Sequence, residues 1–150
     1  MSFETEVNLM MALSDAMADG VEKAGASTVL VNARPRIPSS GLAVAADLVL
    51  TSNHAVEQTQ GIRVLLPDGS WVQASLVGRD NPTDLALLRL EKPRAIPAER
   101  APGEPRVGQL VLAVARPGEE GLQASQGVIS FVGGPFRTQS GILLQRFLRS

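Results

Sequence analysis

The chain has 150 residues, 44% of them hydrophobic, with 14 basic against 15 acidic side chains and a formal net charge of -1. That length and composition fit one ordinary domain with a packed core, and the charge balance lacks the basic surplus of a nucleic-acid binder or a polybasic membrane surface. With no cysteine and a single histidine, disulfides, thiolate zinc sites and a His-cluster metal centre are excluded, and no cofactor is expected.

Residues 1–20 (MSFETEVNLMMALSDAMADG) are acidic and lack a charged start followed by a long apolar run. They do not resemble a secretory signal, and nothing approaches the roughly 18 apolar residues of a spanning helix. Taking Met1 as the true start, the expected compartment is the cytoplasm.

Between Glu4 and Lys23, Leu9, Leu13, Met17 and Val21 recur every fourth residue, with Met10 beside the stripe. This predicts an amphipathic helix ending near Gly25, its stripe packed on a neighbouring core or held for a partner. The pattern then turns extended. Thr28 to Val31 is a β-branched apolar run, followed by Leu42 to Val44 and Leu48 to Thr51, with Pro38, Gly41 and Asp47 as punctuation. Ile62 to Leu66 leads into Pro67-Asp68-Gly69-Ser70, and Trp71 to Val77 follows, which predicts a hairpin. Leu85 to Leu90 is a further apolar strand. Short strands without long crossover helices between them predict an all-β barrel or sandwich.

Residues 92–108 (KPRAIPAERAPGEPRVG) hold four prolines and read as a connector. Beyond it, Leu110 to Ala115, Leu122 to Phe131 and Ile142 to Leu148 are strand-like. Three strands bury too little apolar surface to stand alone, so this part reads as unfinished. The expected organisation is a helix at 1–25, a first β-barrel at 26–91, a connector at 92–108 and an incomplete second barrel at 109–150.

His54 sits in LTSNHAVE, just past a strand-like run, where side chains project from a rigid scaffold. Taken alone, a single His is more often a structural or surface residue. Asp84 stands at the head of the apolar run Leu85 to Leu88 and is expected to be at least partly buried, which calls for a partner. It reads either as a turn residue capping the backbone after Pro82 or as a carboxylate that orients an imidazole, and His54 is the only imidazole present.

The stretch from Ser39 to Glu91 resembles the first barrel of HtrA/DegP-type, trypsin-like serine proteases. The resemblance rests on Ser40-Gly41-Leu42, Leu50-Thr51-Ser52-Asn53-His54-Ala55-Val56, Asp68-Gly69 and Asp80-Asn81-Pro82-Thr83-Asp84-Leu85-Ala86, all in order. VGQLVLAVARPGEEGLQASQGVISFVGG is similar to the start of the family's second barrel, so the likeness covers roughly residues 27 to 150. It implies a double β-barrel, peptide-bond hydrolysis through an acyl-enzyme, His54 as general base and Asp84 as its orienting acid. Thr83 is implied to support that acid. A polypeptide substrate and homo-oligomeric assembly are further implications of the likeness.

The family's nucleophile lies in Gly-x-Ser-Gly-Gly, and no such motif occurs here. Gly133-Gly134-Pro135 looks like its tail, but Phe131-Val132 precede it. Ser130 falls in a strand segment, and Ser125 and Ser140 lack a glycine setting. On this resemblance GILLQRFLRS approaches the nucleophile and stops about ten residues short of it. The expectation is therefore a serine endopeptidase sequence that is inactive by itself. The alternative is a catalytically dead, protease-like module that binds a peptide or protein.

Overall fold

The computed structural model describes residues 3–138 and 141–150; Ser140 lies outside them. Helix α1 (Phe3–Gly25) stops where the chain must approach a neighbour closely, since a Cβ at Gly25 would run into the Leu122 side chain. Six strands follow: β1 (Thr28–Asn32), β2 (Ser39–Ala45), β3 (Leu48–Ser52), β4 (Ile62–Leu65), β5 (Trp71–Asp80) and β6 (Leu85–Leu90). They close in the order β1-β2-β3-β6-β5-β4, every described pairing being antiparallel, with β4 returning to β1.

Alternation of side chains along these strands sends one set inward. Val29, Val31, Ala43, Val49, Ile62, Val64, Ala86 and Leu88 fill the barrel interior and are essentially inaccessible to solvent. Gly41 lets the barrel wall close tightly: a Cβ there would stand 2.7 Å from Val49 Cγ1 and 2.8 Å from Val31 Cγ2. The β4–β5 hairpin turns on Gly69 at φ +81, where a side chain would be strained. Asp68 Oδ1 accepts from the Ser70 N–H at 2.9 Å and closes that turn.

Residues 92–108 contain no strand, and the chain there is pinned along β2 by Ala95 N–H to Ala46 O and Ala98 N–H to Ala43 O. Strands β7 (Leu110–Gly118) and β8 (Gly121–Val128) then form a hairpin that packs β7 against β1 and β2. Arg116 fastens it, its backbone N–H reaching Ser40 Oγ at 2.9 Å and its guanidinium Nε reaching Thr28 O at 3.0 Å. This second layer explains why Leu30, on the outer face of β1, is as buried as the inward Val29 and Val31. The remaining strands are short: β9 (Phe131–Gly133) pairs β12 (Phe147–Arg149), and β10 (Phe136–Arg137) pairs β11 (Leu143–Leu144). The second barrel is thus only partly built within these residues.

Two sequence expectations change. The helix stripe is packed only near its C-terminal end, where Met17 and Val21 are partly buried; Leu9 is 64% exposed and Leu13 41%. A 23-residue helix is about 34 Å long. Its C-terminal part lies on β1 and β7, and it overhangs them. The expected single run from Leu122 to Phe131 is divided, because Ile129 still bonds to Gln109 in line with the β7–β8 pairing whereas the Ser130 N–H goes to Arg149 O.

Candidate active site

His54 and Asp84 belong to different strand ends that the barrel brings together. β3 and β6 are paired with Ser52 opposite Leu85, and β5 and β6 with Asp80 opposite Leu85. Three strand termini therefore meet at one rim. His54 lies in a 3₁₀ turn (Asn53–Ala55) just beyond β3, and Asp84 immediately precedes β6. The ladder continues past the strands through a bond from the Asn53 N–H to Asp84 O at 2.8 Å.

Asp84 uses both carboxylate oxygens on the same residue. Oδ1 accepts from the His54 backbone N–H at 2.9 Å, and Oδ2 lies 2.6 Å from His54 Nδ1. Asp84 is also the only described non-glycine residue with positive φ, +57. That backbone region is sparsely used by residues other than Gly, Asn and Asp, and here it goes with a side chain turned back onto the imidazole. The hydrogen bond from the ring, followed by that from the backbone N–H, holds the Asp84 carboxyl below its ordinary range, with burial acting in the opposite direction. An ionised carboxylate only accepts, so Nδ1 carries a proton, and in the neutral form of the ring Nε2 keeps its lone pair. A ring in that tautomer is able to take a proton from a hydroxyl placed at Nε2.

The dyad is open. The His54 side chain is 67% exposed and that of Asp84 49%, so the acid is half-buried at the rim. The Thr83 hydroxyl donates to Asp80 Oδ2 at 2.6 Å rather than to the Asp84 carboxylate and so braces the turn instead. The cause is local, since residues 81–84 form a tight turn with the Asp84 N–H on Asn81 O. Ser130 Oγ donates to Arg149 O at 3.1 Å, which occupies it within the β9–β12 pair. Among the described residues, no serine hydroxyl is hydrogen-bonded to the His54 ring.

A trypsin-like peptidase domain matches residues 39–147, which takes in the dyad, the connector and the β7–β8 hairpin. The chain belongs to the trypsin-like peptidase family, on its HtrA/DegP side. It is 38% identical over 97 residues to the serine endoprotease DegS of Haemophilus influenzae, covering 63% of this chain and 28% of that protein. It is 37% identical over 87 residues to the periplasmic pH-dependent serine endoprotease DegQ of Escherichia coli, covering 57% of this chain and 19% of the relative. A crystal structure of the serine endoprotease from Yersinia pestis superposes with a TM-score of 0.68 at 31% identity, over 75% of this chain and 43% of that one. This member of the trypsin-like family therefore spans well under a third of the length of these two curated relatives.

The cytoplasmic expectation is corrected by these relatives, since DegQ and DegP of Escherichia coli are both named as periplasmic. Freedom from cysteine excludes a disulfide but is equally at home in an oxidising compartment, and the composition of residues 1–20 speaks only for those residues.

Sequence reasoning passed over a polar relay beside the dyad. Arg79 Nη1 donates to Asn53 Oδ1 at 2.8 Å, and Asn53 Nδ2 donates to Asn81 Oδ1 at 2.8 Å. The available signal was an Asn directly before the only His, with an Arg at the end of a strand bound for the same rim.

Proposed function

We propose that residues 1–150 supply the base half of a serine endopeptidase centre, with His54 as general base and Asp84 as the acid that orients it. The single observation that carries this is the two-point grip of Asp84 on His54, at 2.6 Å on the ring and 2.9 Å on the backbone. In the reaction, the Nε2 lone pair takes the proton of an attacking serine hydroxyl as its oxygen adds to the peptide carbonyl. The resulting imidazolium, stabilised by Asp84, returns the proton to the leaving amine. The hydroxyl comes from a Gly-x-Ser-Gly-Gly segment, which these residues do not contain. Two large sources of rate, the nucleophile and the oxyanion donors, are then missing, and the 150 residues alone do not hydrolyse peptides.

On the same reading, the organisation is a helix at 1–25, a first barrel at 26–91, a connector at 92–108 and part of a second barrel at 109–150. The substrate is a polypeptide and the compartment the periplasm, by similarity to the named relatives, and homo-oligomeric assembly is what the family resemblance implies. The alternative of a dead binding module is disfavoured by Phe131, Phe136, Leu143 and Leu148, each about half exposed, which leaves the second half poorly suited to stand alone.

A chimera tests the reading. Residues 1–150 followed by the remaining second-barrel residues of Haemophilus influenzae DegS should react with a fluorophosphonate and cleave an unfolded protein. Asp84→Asn should lower kcat by about 10⁴-fold and His54→Ala by a comparable factor. A folded chimera whose hydrolysis survives His54→Ala would overturn it.

A further inference from the structure

The strand ladders pair Ser52 and Asp80 with Leu85. One further backbone bond, Asn53 N–H to Asp84 O at 2.8 Å, carries the pairing to the dyad, which lies on a 3₁₀ turn and at the last residue of the 81–84 turn. That backbone bond sets the two segments side by side, and a side-chain link next to it keeps the 81–84 turn from shifting, so that Asp84 holds both oxygens on His54. Asn53, the residue before the base, spans the gap. Its carbonyl oxygen accepts from Arg79 Nη1 at 2.8 Å and its amide nitrogen donates to Asn81 Oδ1 at 2.8 Å. The same Arg79 nitrogen lies 3.4 Å from the Asn53 backbone carbonyl.

The direction of this chain of bonds is set by chemistry. A guanidinium has only donors, so the Asn53 side chain must present its oxygen to Arg79 and its NH₂ to the opposite side. Asn81 then must present its oxygen. The Asn81 main-chain carbonyl takes the Asp84 N–H at 3.2 Å, closing the turn that carries Asp84 at positive φ. A charged group at one end thus orders an amide, the amide orders the turn, and the turn aims the carboxylate.

We propose that Arg79, Asn53 and Asn81 are positioning residues that keep the Asp84 carboxylate aligned on His54. The proposal rests on the reading of His54 as base and Asp84 as its acid. None of the three is among the described hydrogen-bond partners of the imidazole, so each acts through the loops it joins.

The single histidine makes the test direct, because the ring nitrogens of a ¹⁵N-labelled chain give one set of imidazole signals. The wild-type chain should show the Nδ1–H tautomer with a downfield, slowly exchanging ring proton. Arg79→Ala and Asn53→Ala should each lose that proton signal and populate the Nε2–H tautomer, while the amide spectrum of the barrel strands stays in place. Arg79→Lys, which keeps a donor, should retain the signal. Should Asn53→Ala disturb the barrel amides, Asn81→Ala at the far end of the relay carries the same expectation. Wild-type ring spectra in both Arg79→Ala and Asn53→Ala would overturn the positioning role. A different failure is separable: if the unaltered chain shows no Nδ1–H bonded to Asp84, or if Asp84→Asn leaves the ring spectrum unchanged, the reading of the dyad itself falls.

Discussion

The two halves of this chain are built from similar residues and reach very different states. In the first, six strands close on themselves, and the inward Val, Ile, Leu and Ala side chains are buried almost completely. In the second, the described strands form three separate two-stranded sheets, and Leu110, Phe131, Leu143 and Leu148 are each about half exposed. Hydrophobic content is therefore not what separates them. Closure is: a barrel has no edge, whereas a two-stranded ribbon exposes both edges and one apolar face. Stability in this molecule should be concentrated where the ring is complete.

The largest expected effect sharpens that contrast. Leu88→Ala removes a side chain with 0% exposure from the barrel core and should cost about 2–5 kcal/mol, as buried leucines do. Leu148→Ala, at 48% exposure, should cost less than about 1 kcal/mol. Urea unfolding followed by hydrogen exchange reads both, with β1 to β6 amides protected and those of β9 to β12 exchanging early. Equal penalties at the two leucines would break the comparison.

Much of the first barrel was legible because its signals are local. The short apolar runs of β2, β3 and β4, the Pro-Asp-Gly-Ser turn and the apolar run of β6 are each written in a few adjacent residues. The pairing of His54 with Asp84 was also within reach, since one histidine leaves one partner for the acid. What could not be read were interactions decided by where distant strands end. Arg79 meets Asn53 only because β3 and β5 both flank β6, and Thr83 bonds back to Asp80, at the end of β5, rather than to the acid beside it. The overhang of α1 was hidden for a similar reason, because periodicity shows that a stripe exists and not how long a surface lies beneath it.

A smaller effect probes the tightness of closure. Gly41→Ala adds one methyl group between Val31 and Val49, both on barrel strands and both fully buried, at separations below 3 Å. Neither neighbour has a flexible end to withdraw, so the wall must open slightly, at a cost of about 1–3 kcal/mol. The same change at Gly134, where nothing lies within 4 Å, should leave the melting temperature nearly unaltered. A Gly41→Ala protein as stable as the parent would mean that the ring is looser than its core geometry implies.

The smallest effect lies at the rim where the closed barrel meets solvent, and it is a matter of pH. The hydrogen bond from the His54 ring is the leading cause that lowers the Asp84 carboxyl, ahead of the backbone N–H, while burial opposes both. A carboxyl held low in the folded state favours folding at pH above the ordinary carboxylate range, where it is ionised in both states. That contribution is lost as the pH falls through its folded value. Leu88 carries no titrating group, so the penalty of Leu88→Ala should not follow this curve. Carboxyl ¹³C titration of the labelled chain should place Asp84 below the ordinary range, and His54→Ala should return it most of the way. An Asp84 midpoint unmoved by His54→Ala would shift the cause to the backbone N–H, and the acid would then hold the 3₁₀ turn more firmly than it holds the ring.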